Sequence, residues 1–161
     1  MSTPPVSIPR VAAPSAPLRA LAIRYAQLAL GVSFLSAVAD RFGLLGPYGG
    51  WGNMTAFTEY TAKVLAFMPA PIVPFFAWTA TAAETIFGLT LVLFGLLPQS
   101  TFRHSKWPGR IAFGSSALLF LFAMSMTISL GLKKPLDYSV FSASAGALLL
   151  AVSSVRQTTS N

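Results

Sequence analysis

The sequence predicts an all-α fold, an integral membrane four-helix bundle with a short amphipathic helix in its first external loop. Apolar residues make up 54% of the chain and charged residues only 9%, whereas soluble domains are about 25% charged. The mean hydropathy is +0.66. The apolar residues fall into four long runs, and roughly 20 apolar residues suffice for one helical crossing of a bilayer.

The elements follow in a simple order. Residues 1–17 are rich in proline, lack a helical apolar period and are predicted to be a disordered cytoplasmic tail. The transmembrane domain follows at 18–156, and 157–161 are predicted to be a disordered C-terminus. Its four spans are placed at about 18–39, 73–97, 111–130 and 138–155. The last span is the weakest of the four, because it is short and rich in serine.

The first span also has a second interpretation. Ala37-Val38-Ala39 follows an apolar stretch and upstream arginines, as at the cleavage site of a signal peptide. Arg24 and Gln27 would interrupt the apolar region of such a peptide, and the segment before it is unusually long. We therefore expect a retained span, and the mass of the mature protein tests this expectation.

The segment between the first two spans is rich in glycine, proline and aromatic residues. Asn53 is placed to cap a helix, and from Phe57 to Met68 apolar residues recur at spacings of three and four. This pattern predicts an amphipathic helix on the membrane surface. A loop that caps the bundle, or one that gates a ligand, would leave the same pattern.

The basic residues predict the orientation. The net charge is +7, but the basic residues are scattered singly, so they indicate topology rather than binding to nucleic acid. The external loops hold Arg41, Lys63, Lys133 and Lys134. We expect both termini to lie in the cytoplasm and the membrane to be the bacterial inner membrane. The basic residues on the cytoplasmic side are Arg10, Arg19, Arg103, Lys106, Arg110 and Arg156, with Arg24 close by.

The chain has few residues that bind metals or redox groups. It contains no cysteine and one histidine, His104, which excludes thiolate metal sites, iron–sulfur clusters and bis-histidine haem within this chain. Met68, Met124 and Met126 are better explained as packing residues than as metal ligands. We therefore expect no intrinsic cofactor and no metal, and any redox role must rely on an external electron carrier.

Glu84 is the sharpest functional candidate, because an ionisable group near the middle of a span is costly and is commonly functional. Counting along the spans puts it at nearly the depth of Ser33 and Ser125, whose hydroxyls would bond it across helices. Arg24 lies roughly 13 Å nearer the cytoplasmic face, beyond easy reach. We expect a neutral or water-contacting Glu84 that either carries protons or ligands or simply holds helices together.

A second group of candidates lies at the external ends of the spans. Asp40 and Arg41 are expected to meet Lys133, Lys134 and Asp137 there. Headgroup anchoring and weak exposed ion pairs explain such residues equally well. Four aromatic residues, Phe42, Trp51, Phe57 and Trp78, would line a slot for a quinone-like ring or form an interfacial belt.

Three stretches resemble the DoxX family of small four-helix membrane proteins. They are Arg24-Tyr-Ala-Gln-Leu-Ala-Leu-Gly31 with Ala39-Asp-Arg-Phe-Gly43, Ala83-Glu-Thr-Ile-Phe-Gly88 with Leu93-Phe-Gly95, and Arg110-Ile-Ala112. The resemblance covers roughly residues 20 to 152. It implies a link to thiosulfate:quinone oxidoreductase or to membrane redox complexes, in which quinone would be the ligand.

Three functions remain open. The first is a quinone-associated or redox-complex membrane subunit without its own redox centre. The second is a small-solute transporter or permeability protein that uses Glu84. The third is a non-catalytic membrane scaffold. The expected partners are the lipid bilayer and either a redox protein or further copies of this chain.

Overall fold

The computed structural model describes residues 14–102 and 105–159. Most of the predicted N-terminal tail, together with Arg103 and His104, lies outside the described residues. Within them the chain forms six α-helices and a few short 3-10 turns, with no strand, which confirms the all-α prediction. The helices are α1 Ala16–Arg41, α2 Met54–Val64, α3 Val73–Leu96, α4 Trp107–Leu130, α5 Lys133–Asp137 and α6 Val140–Thr159. Helix α6 continues into the segment predicted to be a disordered C-terminus.

Three helical segments are long and apolar enough to cross a membrane: Ala16–Arg41, Ala70–Leu96 and Trp107–Leu130. The apolar part of α6, Val140–Ser154, is shorter. The described chain is therefore compatible with a membrane helical bundle that contains three spans of full length. A fourth crossing remains a prediction.

Proline and glycine residues set the helix boundaries. Pro17, Pro74 and Pro108 all lie in the first turn of a long helix, where the missing N–H has no intrahelical partner to lose. At the other end, α3 stops before Pro98, which favours an extended conformation for the preceding residue. Gly131 ends α4 with a φ of 83°, a conformation that favours glycine.

Glycines bring α1 and α3 into close contact. A Cβ atom added to Gly31 would lie 2.8 Å from a methyl group of Val92 and 2.9 Å from the carbonyl oxygen of Gly88. A Cβ added to Gly95 would lie 2.7 Å from the Leu28 side chain. Small residues of this kind let helix backbones approach closely in membrane bundles. The contacts run in opposite directions along the two helices, so α1 and α3 are antiparallel.

A reciprocal pair of hydrogen bonds joins α4 to α6. The Ser116 hydroxyl donates to the Ser144 carbonyl oxygen at 2.8 Å, and the Ser144 hydroxyl donates to the Ser116 carbonyl oxygen at 2.9 Å. Both serines are buried. Each polar side chain therefore satisfies a backbone group of the facing helix.

The α1 and α3 helices are staggered, and this stagger creates the site. Arg41, the last residue of α1, lies beside Thr81 and Glu84 in α3. The turns of α3 that begin at Val73 therefore extend past the end of α1. Helix α2 packs against α3 and α4 and touches α1. We refer to residues 49–64, which comprise α2 and the loop before it, as the cover.

Candidate functional site

A buried ion pair joins the end of α1 to α3. Arg41 Nη2 lies 2.7 Å from Glu84 Oε2, and the two side chains are only 4% and 3% exposed. Charges at this degree of burial are stable only when they are paired. The structure therefore supplies Glu84 with a cation, which the sequence analysis did not expect.

The remaining groups of the Arg41 guanidinium have distinct surroundings. Arg41 Nη1 donates a hydrogen bond of 2.8 Å to the Thr81 hydroxyl, which itself donates to the carbonyl oxygen of Ala77. The centre of the guanidinium lies 3.6 Å from the centroid of the Phe57 ring, in a cation–π contact. Arg41 Nε is buried and has no hydrogen-bond partner among the described residues. Arg41 Nε is therefore a charged hydrogen-bond donor without a partner, and it lies close to the Phe57 ring.

Asp40 fixes the cover over this ion pair. Its carboxylate oxygens accept hydrogen bonds from the backbone N–H groups of Gly50, Trp51 and Gly52, at 3.0, 2.8 and 3.2 Å. A Cβ atom on Gly49 would collide with the same carboxylate, so the close approach requires glycine there. Adjacent residues of α1 therefore have separate tasks: Asp40 holds the loop, and Arg41 pairs with α3.

The aromatic residues form two groups. In the first group, the Trp51 ring lies 4.5 Å from Tyr60 and 6.0 Å from Phe57 between centroids, inside the cover and next to Arg41. The second group pairs Phe42 with Trp78 at 6.4 Å. Trp78 is 54% exposed. The four aromatic residues that the sequence suggested for one slot are thus divided, and the Trp51 group alone faces the ion pair.

Tyr60 is the third aromatic residue of the first group. Burial, together with the nearby phenol of Tyr138, raises the pKa of Tyr60 above its ordinary value. Tyr60 is therefore protonated at neutral pH and keeps its hydroxyl proton as a hydrogen-bond donor.

The expected surroundings of Glu84 need correction. The Ser33 hydroxyl is exposed and donates to the carbonyl oxygen of Ala29 in its own helix, at 2.7 Å. Within the described residues, Glu84 has no hydrogen bond to Ser33 or to Ser125. The Glu84 carboxyl group instead contacts Arg41, and its expected neutral state stays a prediction.

The external charged residues also differ from expectation. Lys133 Nζ lies 2.7 Å from Asp137 Oδ2 within α5, and the two side chains are 84% and 49% exposed. Lys134 lies near the Tyr138 ring, at 6.0 Å. Asp40 and Arg41 make their polar contacts with the cover and α3 instead. Among the described residues, no hydrogen bond or ion pair joins the two charged groups, and their meeting stays a prediction.

Sequence reasoning missed two components of the site. Thr81 lies three residues before Glu84, on the same face of α3, and this spacing was the available signal. The loop N–H groups that bind Asp40 carried a weaker signal, the glycines around Trp51. Within the described ranges, no cluster of three or more His, Asp or Glu residues could hold a metal ion.

Comparisons with protein-family models, with curated proteins and with solved structures found no match. Inference about function therefore depends on the geometry of the Arg41 site and on the residue pattern.

Proposed function

We propose that this chain is a DoxX-like four-span membrane subunit that binds a quinone headgroup beneath the cover and receives electrons from a redox partner. The observation that carries the proposal is the buried, unpaired Nε of Arg41 beside the aromatic group of the cover. A planar ring with carbonyl oxygens is the type of ligand that suits such a donor and such a wall.

The residues of the site would have separate roles. Arg41 Nε would donate a hydrogen bond to a ring oxygen, and the rings of Trp51 and Phe57 would cover the headgroup. A bound quinone supplies the electron carrier that the chain lacks. Glu84, 2.7 Å from Arg41 Nη2, would hold the guanidinium in the orientation that this hydrogen bond requires.

The DoxX resemblance supports this proposal through the positions of its motif residues. The charged pair after the first span and the glutamate of the second span are joined by the Arg41–Glu84 contact. Likewise, Gly31 of the first stretch contacts Gly88 of the second. Residues that carry the resemblance thus belong to one packed unit.

The proposal includes the topology in which both termini lie in the cytoplasm and the cover faces the opposite side. In a bacterial inner membrane, the Arg41 site would then open toward the periplasmic leaflet. A redox partner would donate its electrons to the bound quinone on that side of the membrane.

Quinone binding is tested by purification in a mild detergent, solvent extraction and quantification of the extracted quinone by its ultraviolet spectrum. We expect about one quinone per chain in the native protein. Removal of the whole ion pair in Arg41→Gln/Glu84→Gln should abolish it. The matched control, Lys133→Gln/Asp137→Asn, removes an exposed ion pair at the same end and should retain the quinone.

Other results would overturn the proposal. Native protein that carries no quinone but retains a stoichiometric protein partner would indicate a scaffold. Solute flux into vesicles that Glu84→Gln abolishes, again without bound quinone, would indicate a transporter. Equal loss of quinone in the two double variants would show that the buried pair is not the binding site.

A further inference from the structure

We propose a second site at the end of the bundle opposite to Arg41, in which Arg24 binds the phosphate group of an anionic phospholipid and Gln27 binds a hydroxyl group of the same headgroup. Both residues lie in α1, and their spacing of three places them on one face of that helix. The site is independent of the quinone proposal.

Two unsatisfied polar atoms mark this site. Gln27 is 4% exposed, and its Oε1 atom has no hydrogen-bond partner among the described residues. The same holds for Arg24 Nε, which is also buried. An unsatisfied buried donor or acceptor costs about 1–3 kcal/mol, and more when the group is charged. A donor and an acceptor left open within one helical turn therefore indicate a ligand with both kinds of group.

The acidic side chains of the sequence do not neutralise Arg24. The chain has four Asp and Glu residues, and each of them is placed away from the end of the bundle where Arg24 lies. Asp40 binds the loop, Glu84 pairs with Arg41, Asp137 pairs with Lys133, and Glu59 lies in α2. Among the described residues, no acidic side chain forms an ion pair with Arg24, and an anionic ligand would supply its counter-charge.

The depth of Arg24 identifies a lipid headgroup as this molecule. A Cβ atom added to Gly95 would lie 3.4 Å from the Arg24 carbonyl oxygen, and α3 ends at Leu96. Arg24 thus lies at the level where the apolar helix α3 ends, which is where headgroup phosphates begin. Arginine binds phosphate oxygens through charge-assisted hydrogen bonds.

Three further basic residues lie at the same end of the bundle as Arg24. Arg19, Lys106 and Arg110 are exposed and lie at the same end of the bundle, near the start of α1 or of α4. Such residues attract anionic lipids in general. Arg24 differs from them because its Nε is buried without a partner among the described residues. Gln27, three residues further along α1, has an open Oε1 atom that can accept a hydrogen bond from a headgroup hydroxyl. We therefore choose phosphatidylglycerol, which offers a phosphate and hydroxyl groups, as the probe.

The test measures lipid binding by native mass spectrometry of the full-length protein released from detergent micelles with phosphatidylglycerol or phosphatidylcholine of equal chain length. We expect one tightly bound phosphatidylglycerol per chain and no comparable phosphatidylcholine. Arg24→Gln should weaken this binding by at least tenfold. The controls Arg19→Gln and Arg110→Gln should weaken it by no more than about fivefold, the effect of one cation near an anionic surface.

Gln27→Leu is a second variant, and it leaves every charge in place. It should weaken the binding of phosphatidylglycerol. It should also raise the thermal stability of the lipid-free protein, because it removes an unpaired buried oxygen. Circular dichroism checks that the variants keep their helices. Equal losses for Arg24→Gln and Arg19→Gln would overturn the proposal in favour of diffuse attraction. Displacement of the lipid by millimolar inorganic phosphate would overturn it in favour of a soluble anion.

Discussion

The Arg41–Glu84 ion pair allows a quantitative prediction. At an N–O distance of 2.7 Å, and with an effective dielectric constant of about 20, the attraction is about 6 kcal/mol. Desolvation costs several kcal/mol for each ion and offsets most of this gain. Removing one partner leaves the other charge buried, so Glu84→Gln should lower the free energy of unfolding by about 3–5 kcal/mol.

The double variant Arg41→Gln/Glu84→Gln should be more stable than the sum of the two single variants indicates, because no charge is left unpaired. We expect a coupling energy of at least 2 kcal/mol, within the range found for residues in one ion-pair network. The exposed pair of Lys133 and Asp137 provides the control, with an expected coupling below about 1 kcal/mol.

The assay is equilibrium unfolding in mixed micelles with increasing mole fractions of dodecyl sulfate, followed by the fluorescence of the three tryptophans and by far-ultraviolet circular dichroism. A Glu84→Gln variant that unfolds within 1 kcal/mol of the native protein would contradict this account of the buried ion pair. Simple additivity of the two buried substitutions would contradict it equally.

Other substitutions test the packing and the cover. Gly31→Ala should lower the free energy of unfolding by about 1–3 kcal/mol, because the added Cβ would press on α3. Gly146→Ala should raise it by about 0.5–1 kcal/mol, because open space surrounds Gly146. The same unfolding assay compares the two variants. Ser116→Ala should cost about 0.6–1.7 kcal/mol by removing its bond to Ser144, and no loss would show that the bond is not stabilising. Asp40→Asn should accelerate amide hydrogen exchange at residues 50–52 at least tenfold, measured by mass spectrometry, because the carboxylate binds three N–H groups. Unchanged exchange would mean that other contacts hold the loop.

Hydropathy alone predicted the helical class, because long apolar runs leave few alternatives to helices. For example, the span predicted at 73–97 corresponds to Val73–Leu96. The partner of Glu84 could not be found in this way. Counting depth from the span ends assumes that all helices end in one plane, whereas the contacts of Gly31 and Gly88 shift α1 along α3. That shift depends on how the two helices pack against each other, and the apolar periodicity of a single helix does not predict it.

The sequence singled out most residues of the candidate site but did not predict their arrangement. Glu84, Asp40, Arg41 and Trp51 were all singled out, and the structure places them around one end of α1. Sequence position could not show that adjacent Asp40 and Arg41 face different elements. The Asp40 side chain faces the glycine-rich loop, and the Arg41 side chain faces α3.

The reach of Arg41 across to α3 also bears on how the chain is assembled in a membrane. Translation produces Arg41 forty-three residues before Glu84 (84 − 41), so the cation is already at the end of the first hydrophobic helix when the later carboxylate leaves the ribosome. Insertion of α3 then gains a waiting counter-ion. A nascent chain without Arg41 would have to integrate the Glu84 side chain without this counter-ion, and we expect its third helix to integrate less efficiently.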